Sequence, residues 1–181
     1  MRWMLPLLLV GCLKPGPKRM VETAEPVRLV TVLGSYESEA VEELPPSVVA
    51  RVSEELQARQ LQPEAVGLFA EAFGVRRTVP ARLEVLEEAG IAQPVLMVSC
   101  DPRFDTQVNG RFRWQVDCSV ALSAADAEGG LEQGTLGASA HLVYYHQQEA
   151  EAVEEVSALV GREVGRVLDR WLATRGVPEA P

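Results

Sequence analysis

The stretch LMVSCDPRFDTQVNGRFRWQVDCSVAL, residues 96–122, decides the fold. Its first arm alternates, with Leu96, Val98, Cys100, Pro102 and Phe104 at one parity and Met97, Ser99, Asp101, Arg103 and Asp105 at the other. After Asn109-Gly110 the alternation resumes: Phe112, Trp114, Val116, Cys118, Val120 and Leu122 stand against Arg113, Gln115, Asp117 and Ser119. A period of two marks a half-buried strand, and two such runs around Asn-Gly form a β-hairpin.

Directly opposed residues must share a face, so the pleat selects the register. A two-residue Asn109-Gly110 turn would set apolar positions opposite polar ones and is rejected. A three-residue loop, Val108-Asn109-Gly110 with Gly110 as a left-handed bulge residue, keeps the two faces together. In that register Phe104 meets Trp114, Asp105 meets Arg113 and Cys100 meets Cys118. If Gln107 and Arg111 close the hairpin as a hydrogen-bonded pair, Cys100 and Cys118 form a non-hydrogen-bonded pair. Their Cα atoms are then about 4.5 Å apart, which a disulfide tolerates.

Upstream, Val27-Arg28-Leu29-Val30-Thr31-Val32-Leu33-Gly34 is a β-branched, nearly continuous apolar run, as a central strand requires. Pro45-Pro46 then precede Val48, Val49, Val52 and Leu56, one stripe of a helix over roughly 46–60 with proline in its first turn. Residues 61–79 stay open between a strand from Leu61 to Val66 and a helix from Glu64 to Phe73. Thr78 and Pro80 start a further helix whose apolar face is Leu83, Leu86 and Ala89, with Gly90 as its cap. Downstream, Asp126 to Gly130 make a turn, and Gly134 to His146 form a strand with Leu136, Ala138, Ala140, Leu142 and Tyr144 on one face. From Gln148 to Thr174, Val153, Val156, Leu159, Val160, Val164, Val167, Leu168, Trp171 and Leu172 recur at spacings of three and four, predicting one long helix. Its glutamates at the start and Arg166, Arg170 and Arg175 at the end suit the macrodipole. The expected fold is α+β, a two-layer sandwich of a mainly antiparallel sheet of four or five strands with helices on one face.

At the N-terminus, Leu9-Val10-Gly11-Cys12 closes the apolar run Met4-Leu5-Pro6-Leu7-Leu8-Leu9-Val10. This resembles the lipobox at which bacterial lipoprotein signal peptides are cut and lipidated. The resemblance implies removal of residues 1–11 and a diacylglycerol thioether and acylated amine on Cys12. Three chains exceed the two signals needed for stable anchoring. Leu13 stands where such lipoproteins carry the Asp that marks inner-membrane retention, so the resemblance implies the periplasmic face of the outer membrane. Residues 12–26 mix prolines and charges without an apolar period and read as a lipidated tether. Its 14 residues after the cysteine reach about 45 Å when extended. A single periplasmic domain over 27–176 and a tail over 177–181 complete the organisation. With Cys12 taken by lipid, Cys100 and Cys118 remain in an oxidising compartment, and a disulfide between them is expected.

The chain of 181 residues carries 17 Lys+Arg and 26 Asp+Glu, a net charge of −9. Arg2 is the only charge in the leader, so the remainder has 16 basic against 26 acidic residues, near −10. That balance excludes a nucleic-acid partner, whose phosphates need a basic face. After the leader no apolar run is long enough to span a bilayer.

No catalytic, metal or cofactor motif stands out. His141 and His146, the only histidines, sit five apart on a strand and point to opposite faces. Gly137-Ala138-Ser139-Ala140 lacks the second glycine of a nucleophile elbow. The distinctive polar set is Asp101, Arg103, Asp105, Gln107, Arg111, Arg113, Gln115 and Asp117 on one hairpin face. It is a candidate partner-docking surface; the simpler reading is cross-strand charge pairing that keeps an outer face soluble, which Asp101 opposite Asp117 contradicts. The layout is loosely similar to periplasmic lipoprotein domains of the LPS-assembly (LptE), penicillin-binding-protein-activator (LpoB) and curli-secretion types. That resemblance implies a non-enzymatic accessory, assembly or adaptor role for an envelope complex; the alternative is a carrier of an apolar ligand such as lipid or LPS between sheet and helices.

Overall fold

The apolar run after Pro26 becomes the middle of the sheet. In the computed structural model, which describes residues 24–35, 39–127, 130–144 and 149–176, it forms β1 (Glu25–Gly34). The chain continues through β2 (Val41–Glu42), α1 (Pro46–Ala58), β3 (Leu61–Ala65), α2 (Ala70–Val75), α3 (Val79–Glu88), β4 (Val95–Val108), β5 (Arg111–Ser123), β6 (Leu131–Leu142), α4 (Glu149–Glu155) and α5 (Ser157–Thr174). The strands run in the order β2-β1-β4-β5-β6, with β3 sharing the lane of β2 beside β1. The tether expected through residue 26 ends earlier, because Glu25 and Pro26 already pair with Leu61 and Gln62. The leader, Cys12, His146 and the tail over 177–181 lie outside the described residues.

The class is α+β, a mixed sheet with helices packed against it. Among the described residues there are six strands rather than four or five: residues 61–79 hold both elements left open by the sequence, which makes five strands, and the two-residue β2, too short to show a period, is the sixth. β3 pairs parallel with β1, as does β4. The main core lies on one face, where Leu29, Leu33, Leu96, Val98, Val116 and Val120 meet Val52 and Leu56 of α1 and Val164, Leu168 and Trp171 of α5. Each such side chain contributes about 1.5–3 kcal/mol when fully buried. Alternation sends Val30, Val32, Val95 and Met97 to the other face, where α2 and α3 cover them with Phe73, Val85 and Leu86. A second, smaller helix layer is thus added to the main one. The apolar stripe of α3 also differs from expectation: Val85 and Leu86 are buried, Leu83 is half-buried and Ala89 is exposed.

α1 crosses α5 where α5 lacks side chains. A Cβ at Gly161 would lie 2.7 Å from Arg51 Cγ, and one at Gly165 would lie 2.9 Å from an Arg59 guanidinium nitrogen. Arg59 then forks onto Asp169 at 2.6 and 2.8 Å and reaches Glu55 at 2.8 Å, a bidentate geometry stronger than a single bond. The expected helix over 148–174 is broken at Val156, whose N–H bonds to Val153 O at 3.2 Å. That tighter step lets Ala152, Val153, Val156 and Val160 all face the core.

The hairpin register is right inward of Phe104 and wrong at the tip. Asn109 and Gly110 have φ of 50° and 78°, the primed two-residue turn whose twist matches paired strands, and Val108 pairs with Arg111. The face conflict is relieved by a bulge between Phe104 and Thr106 instead of one at Gly110. Inward of it Phe104 faces Trp114 and Cys100 faces Cys118.

A candidate docking face on the hairpin

The polar parity of β4 and β5 divides into a covered half and an open half. Near the base, Met97 and Ser99 are buried beneath α2 and α3. Pairing of β4 with β1 stops at Leu33 and Cys100, and beyond it the hairpin projects with Arg103, Asp105, Thr106 and Arg111 exposed.

The boundary is built by Arg82 of α3, only 2% exposed. It donates to Ser99 Oγ at 2.7 Å, Phe73 O at 3.2 Å and Arg76 O at 3.0 Å, joining the sheet to the end of α2. Burial pulls this guanidinium below its ordinary pKa, while Asp101 opposes that shift. Asp101 lies against Gly34, where any Cβ would collide with its carboxylate. It retains solvent contact, but crowding by protein pushes its carboxyl above the ordinary value; Arg82 and Arg77 oppose the rise and Asp117 adds to it. The crevice among Gly34, Glu39, Gly74, Arg77, Arg82 and Asp101 holds about 20 Å³, room for a water rather than a ligand.

Of the sequence-selected residues, the structure brings Asp101 and Asp117 into direct opposition and sets Arg103 opposite Gln115. Gln115 Nε2 donates to Asp117 Oδ1 at 3.2 Å. Arg113 pairs by ladder with Thr106, yet its side chain meets Asp105 across the bulge at 3.2 Å, both about half exposed. The bulge moves Gln107 to the aromatic side opposite Phe112 and brings Val108 to the polar side opposite Arg111. On the reverse face Phe104 sits 5.9 Å from Trp114 and 6.4 Å from Phe112, ring centre to ring centre. The sequence reading did not select Arg82. The signal was there: an arginine three and four residues before Val85 and Leu86 lies on the apolar stripe.

Cys100 and Cys118 are joined by a disulfide with Cα atoms 4.1 Å apart, beneath the polar face and buried. Among the described residues no three His, Cys, Asp or Glu side chains cluster as metal ligands, and His141 stands exposed on β6.

No family model and no curated protein matches the chain. Among solved structures, lipoprotein GNA1162 from Neisseria meningitidis is similar at 12% identity and a TM-score of 0.40, over 81% of this chain and 96% of that one. The PelC dodecamer from Paraburkholderia phytofirmans has 11% identity and a TM-score of 0.38, over 80% and 86%. A minor lipoprotein from Acinetobacter baumannii has 11% identity and a TM-score of 0.36, over 84% and 94%. At these values no residue role passes from those proteins to this chain.

Proposed function

We propose that this protein is a non-enzymatic accessory or adaptor lipoprotein, anchored through Cys12 at the periplasmic face of the outer membrane, and that it captures an envelope protein through the open half of the hairpin. The observation that carries the reading is the projection of the hairpin beyond the end of β1. There the tip carries Arg103, Arg111 and Arg113 against Asp105, a positive end in a chain of net −9, while Asp101 and Asp117 balance it at the base. An acidic protein surface complements that patch, and Asp101 and Asp117 mark its inner border. Long-range attraction of this kind governs encounter and orientation more than final affinity.

The packing supports an adaptor over a carrier. Between the sheet and α1 and α5, the space is filled by Leu56, Leu168 and Trp171, each fully buried. The apolar hollow lined by Leu83, Ile91, Val95 and Leu131 holds about 260 Å³ and lies open on the far side, beside α3. That is below the usual range for a site enclosing a drug-sized ligand.

The test is in-cell cross-linking from the hairpin followed by identification of the captured protein, with Arg103→Glu and Arg113→Glu as the perturbation. Capture is expected to fall while the far-UV spectrum and thermal midpoint stay as in the parent. Undiminished capture would refute the assignment of this face. Cys12→Ser is expected to abolish labelling by radioactive palmitate and release the protein from the membrane fraction.

A further inference from the structure

The outermost strand is the least guarded element of the sheet. β6 pairs with β5 over twelve successive residues without a bulge, from Phe112–Leu142 to Ser123–Leu131. Among the described residues no strand occupies its other side. Edge strands are normally blunted by brevity, bulges, proline or lysine. β6 has no proline and no lysine, and only Glu132 and His141 are ionisable. The free side of β4 beyond β1, by contrast, carries Pro102 and the bulge at Asp105.

The backbone groups that face outward can be assigned. The 4.1 Å Cα separation of Cys100 and Cys118 is that of a non-hydrogen-bonded pair, so Cys118 turns its N–H and C=O toward β6 and pairs there with Leu136. Even residues of β6 therefore bond to β5, and Gln133, Thr135, Gly137, Ser139 and His141 present theirs to the open edge. The donation from Arg170 to the Gln133 carbonyl agrees with that direction.

We propose that β6 is the pairing edge of a homodimer, in which two copies meet antiparallel about a two-fold axis at Gly137 and their sheets become continuous. Thr135 then faces the partner's Ser139, Gln133 the partner's His141, and Leu136 the partner's Ala138. All outward backbone groups find partners, polar stays with polar and apolar with apolar, and no like charges oppose. The small residues Gly137, Ala138 and Ser139 leave the approach at the axis unobstructed, and the Gln133 carbonyl, which already accepts from Arg170, keeps a second lone pair for the other copy. The helix layer is complementary under the same axis. Arg170 lies over the start of β6, bound to Glu132 at 3.2 Å, and Arg166 is held by Glu163, which packs over Gly134. α4, with Glu149, Glu151, Glu154 and Glu155, follows closely on the end of β6. Antiparallel pairing brings the arginine end of each copy toward the glutamate helix of the other. An isologous edge closes on itself and yields a dimer rather than a fibre.

The experiment is sedimentation equilibrium of the full chain carrying Cys12→Ser, so that no acyl group drives association, combined with amide hydrogen exchange. A dimer is expected, with the Thr135, Gly137, Ser139 and His141 amides protected in it and exchanging quickly on dilution. Ser139→Pro removes one outward donor and leaves the β5 ladder intact; it is expected to weaken the dimer at least tenfold with an unchanged far-UV spectrum. Gly137→Cys, at the axis, is expected to form a disulfide-linked dimer in air, whereas Val75→Cys on the exposed end of α2 is not. A monomer at every concentration with fast-exchanging edge amides would overturn the proposal. So would a dimer indifferent to Ser139→Pro, or edge protection that appears only when another protein is added.

Discussion

Reduction of the Cys100–Cys118 bond is the most quantitative perturbation the structure offers. The bond closes a loop with a sequence separation of 18, for which chain-entropy arguments give about 3 kcal/mol at 25 °C. Both sulfurs are buried, and their strands are already held by the ladder from Val95–Ser123 to Phe104–Trp114. The bond therefore acts mainly on the unfolded chain, which without it regains the loop's freedom. The assay is urea unfolding of the Cys12→Ser chain with and without dithiothreitol, followed by stopped-flow kinetics. Loss of about 3 kcal/mol corresponds to a fall in thermal midpoint of roughly 6–12 °C for a domain of this size. The m-value should rise, because the reduced unfolded chain is more expanded. The folding rate should drop while the unfolding rate changes little. Equal stability in the two conditions would refute the reasoning, as would two reactive thiols in the denatured, unreduced Cys12→Ser protein.

Other perturbations separate the site from the core. Arg82→Met strands the carbonyls of Phe73 and Arg76 and the hydroxyl of Ser99; at about 1–3 kcal/mol for an unsatisfied buried group, chemical denaturation should show a loss of roughly 2–4 kcal/mol. Asp101 has a carboxyl pKa raised in the folded state, so its ionised form opposes folding above that pKa, and the cost vanishes as pH falls into the ordinary carboxylate range. Asp101→Asn should therefore raise the thermal midpoint at neutral pH, with the gain shrinking to nothing in acid; a midpoint that falls at neutral pH would contradict this. Trp171→Ala removes a fully buried indole whose Nε1 donates to Asp126 and whose ring carries Arg175 at 4.8 Å. Calorimetry should register a loss of about 3–5 kcal/mol.

The legibility of the chain tracked the range of the interactions involved. β4, β5, β6, α1 and α5 were readable because each is amphipathic with its own period, and periodicity records which side of an element meets the core. The pairing of Cys100 with Cys118 was readable for the same reason, since two alternating arms can be aligned in few ways. The bulge at Asp105 was not, because turn geometry and face matching make competing demands and the chain can reconcile them at more than one residue. β3 stayed undecided for another reason: Leu61-Gln62-Pro63-Glu64-Ala65 has no pattern of its own and is a strand only because β1 offers it a parallel neighbour.

The candidate site shows the same division. Sequence alone placed Asp101, Arg103, Asp105, Arg111, Arg113 and Asp117 on one side of one hairpin, since side-chain parity is a covalent property of an extended chain. It could not show that α2 and α3 fold over the base of that side, that Arg82 is buried there, or that the tip is left projecting. Those outcomes depend on where β1 stops against β4 and on a short helix pair whose position is set by Val30, Val32 and Met97 on a distant part of the sheet. The sequence by itself determined the longer strands, the main helices and, outside the bulge, which residues share a face, because those follow from local geometry. Only the tertiary structure decided which part of each face stays in water, because exposure is the property of every other element's position at once.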